Sequence, residues 1–122
     1  MCNILISINP EHVENIFNGS KKYEYRKIRC KKDVDKIIIY STYPIMKVVG
    51  EAKVEKILED SPDNIWEETK KYSGIDLKFY QKYFKDRSKA IAYKLTNIKK
   101  YNDPKDLASY GIKAAPQSFI YV

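Results

Sequence analysis

The sequence predicts an α+β domain, a small β-barrel of about five to six strands with flanking helices. Three observations lead there. Strand-like segments outnumber helical ones. Their order is strand, helix, three strands, two helices, two strands, which lacks the regular alternation of a doubly wound parallel sheet. Short connections join the second to the fourth strand, which favours antiparallel pairing, and a chain of 122 residues completes such a sheet most economically by curling it.

Ile4 to Ile8 is a short apolar run that reads as a strand. Asn9 then suits an N-cap and Pro10 the first helical position. Val13, Ile16 and Phe17 put one helix face in the core, and Gly19 is placed to end the helix in the left-handed conformation. From Lys22 to Ile28, Tyr23 and Tyr25 alternate with Lys22, Glu24 and Arg26, a strand with two chemically distinct faces. Lys31-Lys32-Asp33 makes a turn before the β-branched strand Ile37 to Ser41, which Thr42-Tyr43-Pro44 ends. Val48 to Leu58 is a long strand in which Gly50 marks a bulge or a close backbone approach. Ser61-Pro62-Asp63 repeats the cap-and-proline signal for a helix that Gly74 ends, and Asp76 caps another through Leu77, Tyr80, Tyr83 and Phe84. Ala90 to Leu95, extendable to Ile98, is a strand; Pro104 to Leu107 reads as a helical turn and Ser118 to Val122 as a closing strand.

Composition narrows function. With 23 Lys and Arg against 16 Asp and Glu, the formal charge is +7, and the sequence pI is about 9.3. Phosphates are natural partners for that charge. Eleven Tyr supply rings that pack cores or stack on bases. Cys2 and Cys30 are the only cysteines and His12 is the only histidine, so a tetrahedral zinc site would need carboxylates, and none lies at ligand spacing. No segment is apolar for long enough to span a bilayer, and nothing resembles a secretory signal. These features predict a cytoplasmic single domain over residues 1–122, with no membrane contact, no metal and no cofactor. Walker, dinucleotide-binding and serine-elbow motifs are absent, and no room remains for a helix-turn-helix domain beside the barrel.

The richest stretch is Gly19-Ser20-Lys21-Lys22-Tyr23-Glu24-Tyr25-Arg26. Residues two apart on a strand project side by side, so Glu24 and Arg26 can act on one ligand while Lys21 adds charge or works as a base. The plainer reading is an exposed strand face with one weak ion pair. Tyr40, Ser41 and Thr42 end a strand, where hydroxyls read base edges or satisfy local backbone. Gln117 and Ser118 either line the same pocket or only direct the last strand. Trp66, Tyr80, Tyr83 and Phe84 fall at helical spacing and read as packing residues. His12 reads as an exposed imidazole. Cys30 has Arg29, Lys31 and Lys32 beside it, which would lower its pKa, but reads as a surface or half-buried thiol. The pairs Lys31-Lys32 and Lys99-Lys100 are solvated faces unless they converge on the cleft.

The pattern from Ile16 through Gly19, Lys21, Glu24 and Arg26 resembles the ASCH family, whose fold is similar to the PUA-domain barrel. Tyr40-Ser41-Thr42-Tyr43-Pro44, Val49-Gly50-Glu51, Trp66 with Ser73-Gly74-Ile75, and Ala115-Pro116-Gln117-Ser118-Phe119 extend the resemblance over nearly the whole chain. They are similar to the members described as predicted transcriptional regulators. The resemblance implies a PUA-like barrel with a cleft beside the first helix, and RNA or a modified nucleobase as ligand. One bacterial branch of the family hydrolyses N4-acetylcytidine with a Lys, a Thr and a Glu. Lys21 matches that Lys, but Glu24 stands at the Thr position and Ser73 near the Glu. Ribonuclease activity is also ascribed to the family.

Three function classes follow. The first is a module binding single-stranded RNA or a modified nucleoside through Lys21, Glu24, Arg26, Tyr40, Ser41, Thr42, Gln117 and Ser118. The second is an enzyme on the same cleft, an amidohydrolase of acylated bases or a ribonuclease, with Lys21 and Glu24 catalytic. The third is a module with a protein partner.

Overall fold

A computed structural model describes residues 2–31 and 33–122. Lys32, in the predicted Lys31-Lys32-Asp33 turn, lies outside the described residues. The elements run β1 (Asn3–Ile8), α1 (Pro10–Phe17), β2 (Tyr23–Arg26), β3 (Lys36–Ser41), β4 (Lys47–Asp60), α2 (Pro62–Thr69), α3 (Leu77–Tyr83), β5 (Ala90–Lys105) and β6 (Phe119–Tyr121). Single 3-10 turns follow α2 at Lys70–Tyr72 and β5 at Leu107–Tyr110.

The six strands form one sheet in the order β2-β5-β4-β3-β1-β6, curled into a half-barrel. Every pairing is antiparallel except β1 with β3. Strand alternation splits the side chains between two faces. Inside the curl, Ile4, Ile6 and Ile8 of β1 meet Ile37 and Ile39 of β3, Tyr93 and Leu95 of β5, and Val13 and Ile16 of α1. The outer face is covered at both ends. Tyr25, Ala90 and Ala92 pack under Ile65, Tyr80 and Phe84 of α2 and α3. Leu5, Ile38, Tyr40 and Val48 pack under Leu107, Tyr110 and Ile112.

The helix signals act as read. The Asn9 side chain accepts from Glu11 N at 3.0 Å, Ser61 Oγ from Asn64 N at 3.2 Å, and Asp76 from Phe79 N at 2.7 Å. Gly19 ends α1 at φ +89°. Gly50 is a close approach, since a Cβ there would stand 2.8 Å from the Phe17 ring, and the β4–β5 ladder shifts register beside it.

Three expectations need correction. β2 pairs with β5 rather than with β3, because β1 takes the place beside β3 in parallel register. β5 runs on to Lys105. Its partners pass from Gly50↔Lys100 to Val48↔Lys105, so β5 spends five residues where β4 spends two. Pro104 lies in that irregular stretch, where its missing N–H breaks no regular ladder, and the helical turn begins only at Leu107. No helix among the described residues is long and apolar enough to cross a membrane.

Candidate functional site

A cleft of about 180 Å³ opens where the end of β1, the first turn of α1, β2 and α3 meet. Lys21, Glu24 and Arg26 line it together with His12, Tyr25, Phe79 and Tyr83. Lys21 enters β2 with its backbone N–H bonded to Asn15 O at 2.9 Å and an antiparallel bridge to Ser73. Its side chain is 2% exposed. Nζ donates to Ser73 O at 3.0 Å, stands 3.9 Å from Glu24 Oε1 and lies 4.7 Å from the centre of the Tyr25 ring. Burial pulls the Lys21 pKa below the ordinary 10.5, and the Glu24 carboxylate opposes that shift.

Glu24 and Arg26 share a strand face as their spacing requires. Arg26 Nη2 donates to Glu24 Oε2 at 2.8 Å and to Ser7 O at 2.7 Å. Two cations therefore meet one carboxylate in a buried cluster, and the floor of the cleft carries an excess positive charge. Two polar atoms of the cleft residues, His12 Nδ1 and Arg26 Nε, are buried with no hydrogen-bond partner among the described residues. Desolvation, then the Lys21 charge, pushes the His12 pKa below the ordinary 6.5, which favours the uncharged imidazole. Phe79 meets its ring edge-on at 5.4 Å. Among the described residues no group of three or more His, Cys, Asp or Glu gathers to hold a metal ion.

Lys21, Glu24 and Arg26 thus come together, whereas Tyr40, Ser41, Thr42, Gln117 and Ser118 do not line the cleft. Tyr40 shares the parity of Ile38 on β3, so its ring is buried on the outer face with Leu5 and Val48. Ser41 is buried in register with Ile8, and Thr42 N donates to Ile8 O at 3.0 Å, so both stand behind a cleft wall. Gln117 and Ser118 are exposed beside Ser7. Ser118 O accepts from Ser7 N at 3.2 Å, and Ser7 Oγ donates to Pro116 O at 2.7 Å. Because Ser7 O also holds Arg26, this loop braces the cleft from one residue away.

Sequence reading discounted His12 and assigned no role to Phe79. The signal existed. Phe79 and Tyr83 stand i, i+4 on α3, beside the second stripe Tyr80 and Phe84, and only one stripe can face the core. Tyr80 and Phe84 are buried, Phe79 is 48% exposed, and Tyr83 joins both core and cleft. Cys30 is more buried than expected. Its Sγ lies 2.9 Å from Tyr93 Oη, and burial raises its pKa despite the basic residues beside it.

Comparison with known proteins agrees with this architecture. The fold matches the crystal structure of ASCH from Zymomonas mobilis with a TM-score of 0.89 and 26% identity, over 98% of this chain and 87% of that one. An ASCH domain-containing ribonuclease of the same organism is 30% identical over 75% of this chain, which spans 62% of that protein. A protein of Ureaplasma parvum named ATP synthase subunit alpha is 35% identical over 98% of this chain, and one named large ribosomal subunit protein uL22 is 32% identical. The chain spans only 15% and 39% of those two proteins. The model of the ASCH domain matches residues 6–105, which with the capped helix and the Lys21–Glu24–Arg26 cluster places this chain in the ASCH family.

Proposed function

We propose that the chain is an RNA-binding module whose cleft receives one unpaired base, modified bases included. One observation carries the reading: a buried cluster with excess positive charge lies under a cleft walled by Tyr25, Phe79 and Tyr83. At about 180 Å³ the cleft is smaller than the roughly 300–1,000 Å³ of pockets for drug-sized ligands, and it suits a single ring system. Aromatic walls offer stacking, and Glu24 and His12 offer contacts to base edges. The ribonuclease named among the relatives supports RNA as the ligand class.

Equilibrium binding of single-stranded RNA, matched duplex and free nucleosides tests this. Single strands should bind best, and Phe79→Ala should weaken them. Equal affinity for duplex, or indifference to Phe79→Ala, overturns the reading.

The buried amine of Lys21 favours one second reading, an enzyme on the same cleft. Its depressed pKa enlarges the neutral fraction that can accept a proton. In a ribonuclease Lys21 would take the 2′-hydroxyl proton as that oxygen attacks phosphorus and the 5′-oxygen leaves. In an amidohydrolase of an acylated base Glu24 would activate water and Lys21 would hold the oxyanion. Mass spectrometry of total RNA and modified nucleosides, N4-acetylcytidine included, after incubation with the protein separates the readings. A product that disappears in Lys21→Ala makes it an enzyme; intact RNA retained on the protein leaves the binding module.

A further inference from the structure

We propose that the bound RNA continues past Lys21 into a second groove, so that the ligand is a strand rather than a free nucleoside. This rests on the RNA-binding reading above and adds the path of the backbone.

The groove has a volume of about 400 Å³ and lies between the C-terminal turn of α1 and β5. Lys21 lines both it and the base cleft, and among the described residues it is the one residue their walls share. The remaining walls come from Ile16, Gly19 and Lys22 on one side and from Lys94 to Ile98 on the other, with Glu55 at the margin. Here the sheet has a free edge. β2 begins at Tyr23 opposite Lys94, and Leu95 N donates to Lys22 O at 2.8 Å. Beyond Leu95, β5 is paired with β4 alone among the described strands, and Asn97, at φ +49°, sits where the β4–β5 register shifts. Thr96, in register with Lys53 of β4, and Asn97 line the groove where β2 no longer covers the side of β5 away from β4.

Charge completes the path. Lys22 Nζ lies 4.2 Å from the centre of the Tyr72 ring. Lys100 Nζ lies 5.7 Å from the ring of Phe17, the last residue of α1. Among the described residues neither ammonium has a carboxylate within 4.0 Å. Lys94 does, pairing with Glu55 at 2.9 Å, so Lys22 in the groove wall and Lys100, on β5 two residues beyond the last groove residue Ile98, are left as uncompensated charges along the path. Lysines seated on rings beside a polar edge match a phosphate track that stays tolerant of sequence. Lys31 takes no part: its N–H bonds the Tyr121 hydroxyl, at the β6 edge of the sheet.

The test compares a uridine mononucleotide with an oligouridylate of about eight nucleotides on the wild type and on the double variant Lys22→Ala, Lys100→Ala. Both lysines are exposed, so the variant should fold as the wild type does. Its affinity for the mononucleotide should be unchanged. Each phosphate contact on a single strand adds about 0.7 to the slope of log K against log salt, so the oligomer slope should fall by about 1.4. Going from about 50 to about 200 mM salt should then cost the wild type about sevenfold more affinity than the variant. An unchanged oligomer slope, with mononucleotide binding still sensitive to Phe79→Ala, overturns the track and leaves the base cleft standing. A wild type that binds neither RNA overturns both.

Discussion

Gly74 is where the position of Lys21 can be weighed. Its φ is +67°, and a Cβ there would overlap the Lys21 Cβ and stand 2.7 Å from its Cγ and 3.1 Å from its Cα. The colliding atoms are the root of a buried side chain and the backbone, neither of which can swing aside. Gly19 has a similar conformation, φ +89°, with nothing within 4 Å of its would-be Cβ. The pair separates conformational cost from contact cost. A left-handed alanine costs about 1–2 kcal/mol, less about 0.4–1 kcal/mol for the stiffer unfolded chain. Gly19→Ala should therefore lose about 1 kcal/mol. Gly74→Ala adds about 1–3 kcal/mol of overpacking, for a total of about 2–4 kcal/mol. At about 2.1 cal/mol/K per residue over 122 residues, each kcal/mol lowers Tm by about 4 °C. Calorimetry should then show Tm falling by about 4 °C in Gly19→Ala and about 8–16 °C in Gly74→Ala. RNA affinity should fall in Gly74→Ala alone, because its Cβ displaces the floor of the cleft. Two variants that melt together would refute the claim that Gly74 exists to admit Lys21.

Glu24→Ala leaves the buried Lys21 and the half-buried Arg26 with no carboxylate between them and should cost about 3–5 kcal/mol in urea titration, against less than about 1 kcal/mol for Glu67→Ala in the exposed Lys70–Glu67 pair. Phe79→Ala should weaken single-stranded RNA by about 1–3 kcal/mol in fluorescence anisotropy with little change in Tm, because the ring is already 48% exposed. The folded His12 pKa lies below its unfolded value of 6.5, so as pH falls through 6.5 the unfolded state binds the proton first and stability declines. Thermal melts below pH 6.5 should show that decline in the wild type and a flatter limb in His12→Gln.

What sequence could reveal was local. Caps at Asn9, Ser61 and Asp76 announce themselves because a side-chain oxygen and its backbone donor lie within three residues of each other. The alternation of Glu24 and Arg26 likewise fixes their common face, and the resemblance named the family that the ASCH match bears out. Non-local choices were hidden. Nothing in the apolar run Ile4 to Ile8 says that it lies parallel to β3 and displaces β2 to the far edge. The other half of the cleft needs α3 folded back across β2, which brings Phe79 and Tyr83 to Lys21 from more than fifty residues away. Tyr40 shows the reverse problem: its neighbours are reactive on paper, yet strand parity turns the ring to the outer face.

The β1–β6 pairing has a topological consequence. Ile4, Leu5 and Ile6 pair with Tyr121, Ile120 and Phe119, and Val122 N donates to Asn3 O at 3.0 Å. Both ends of the described chain therefore leave by the same corner, on the edge of the sheet opposite β2 and its cleft residues. A unit with adjoining entry and exit can be spliced into a surface loop of a host, or have its ends joined and a new opening cut elsewhere, without unravelling the sheet. That geometry makes the fold portable: a host can carry it as an insert or at either terminus while the cleft stays open.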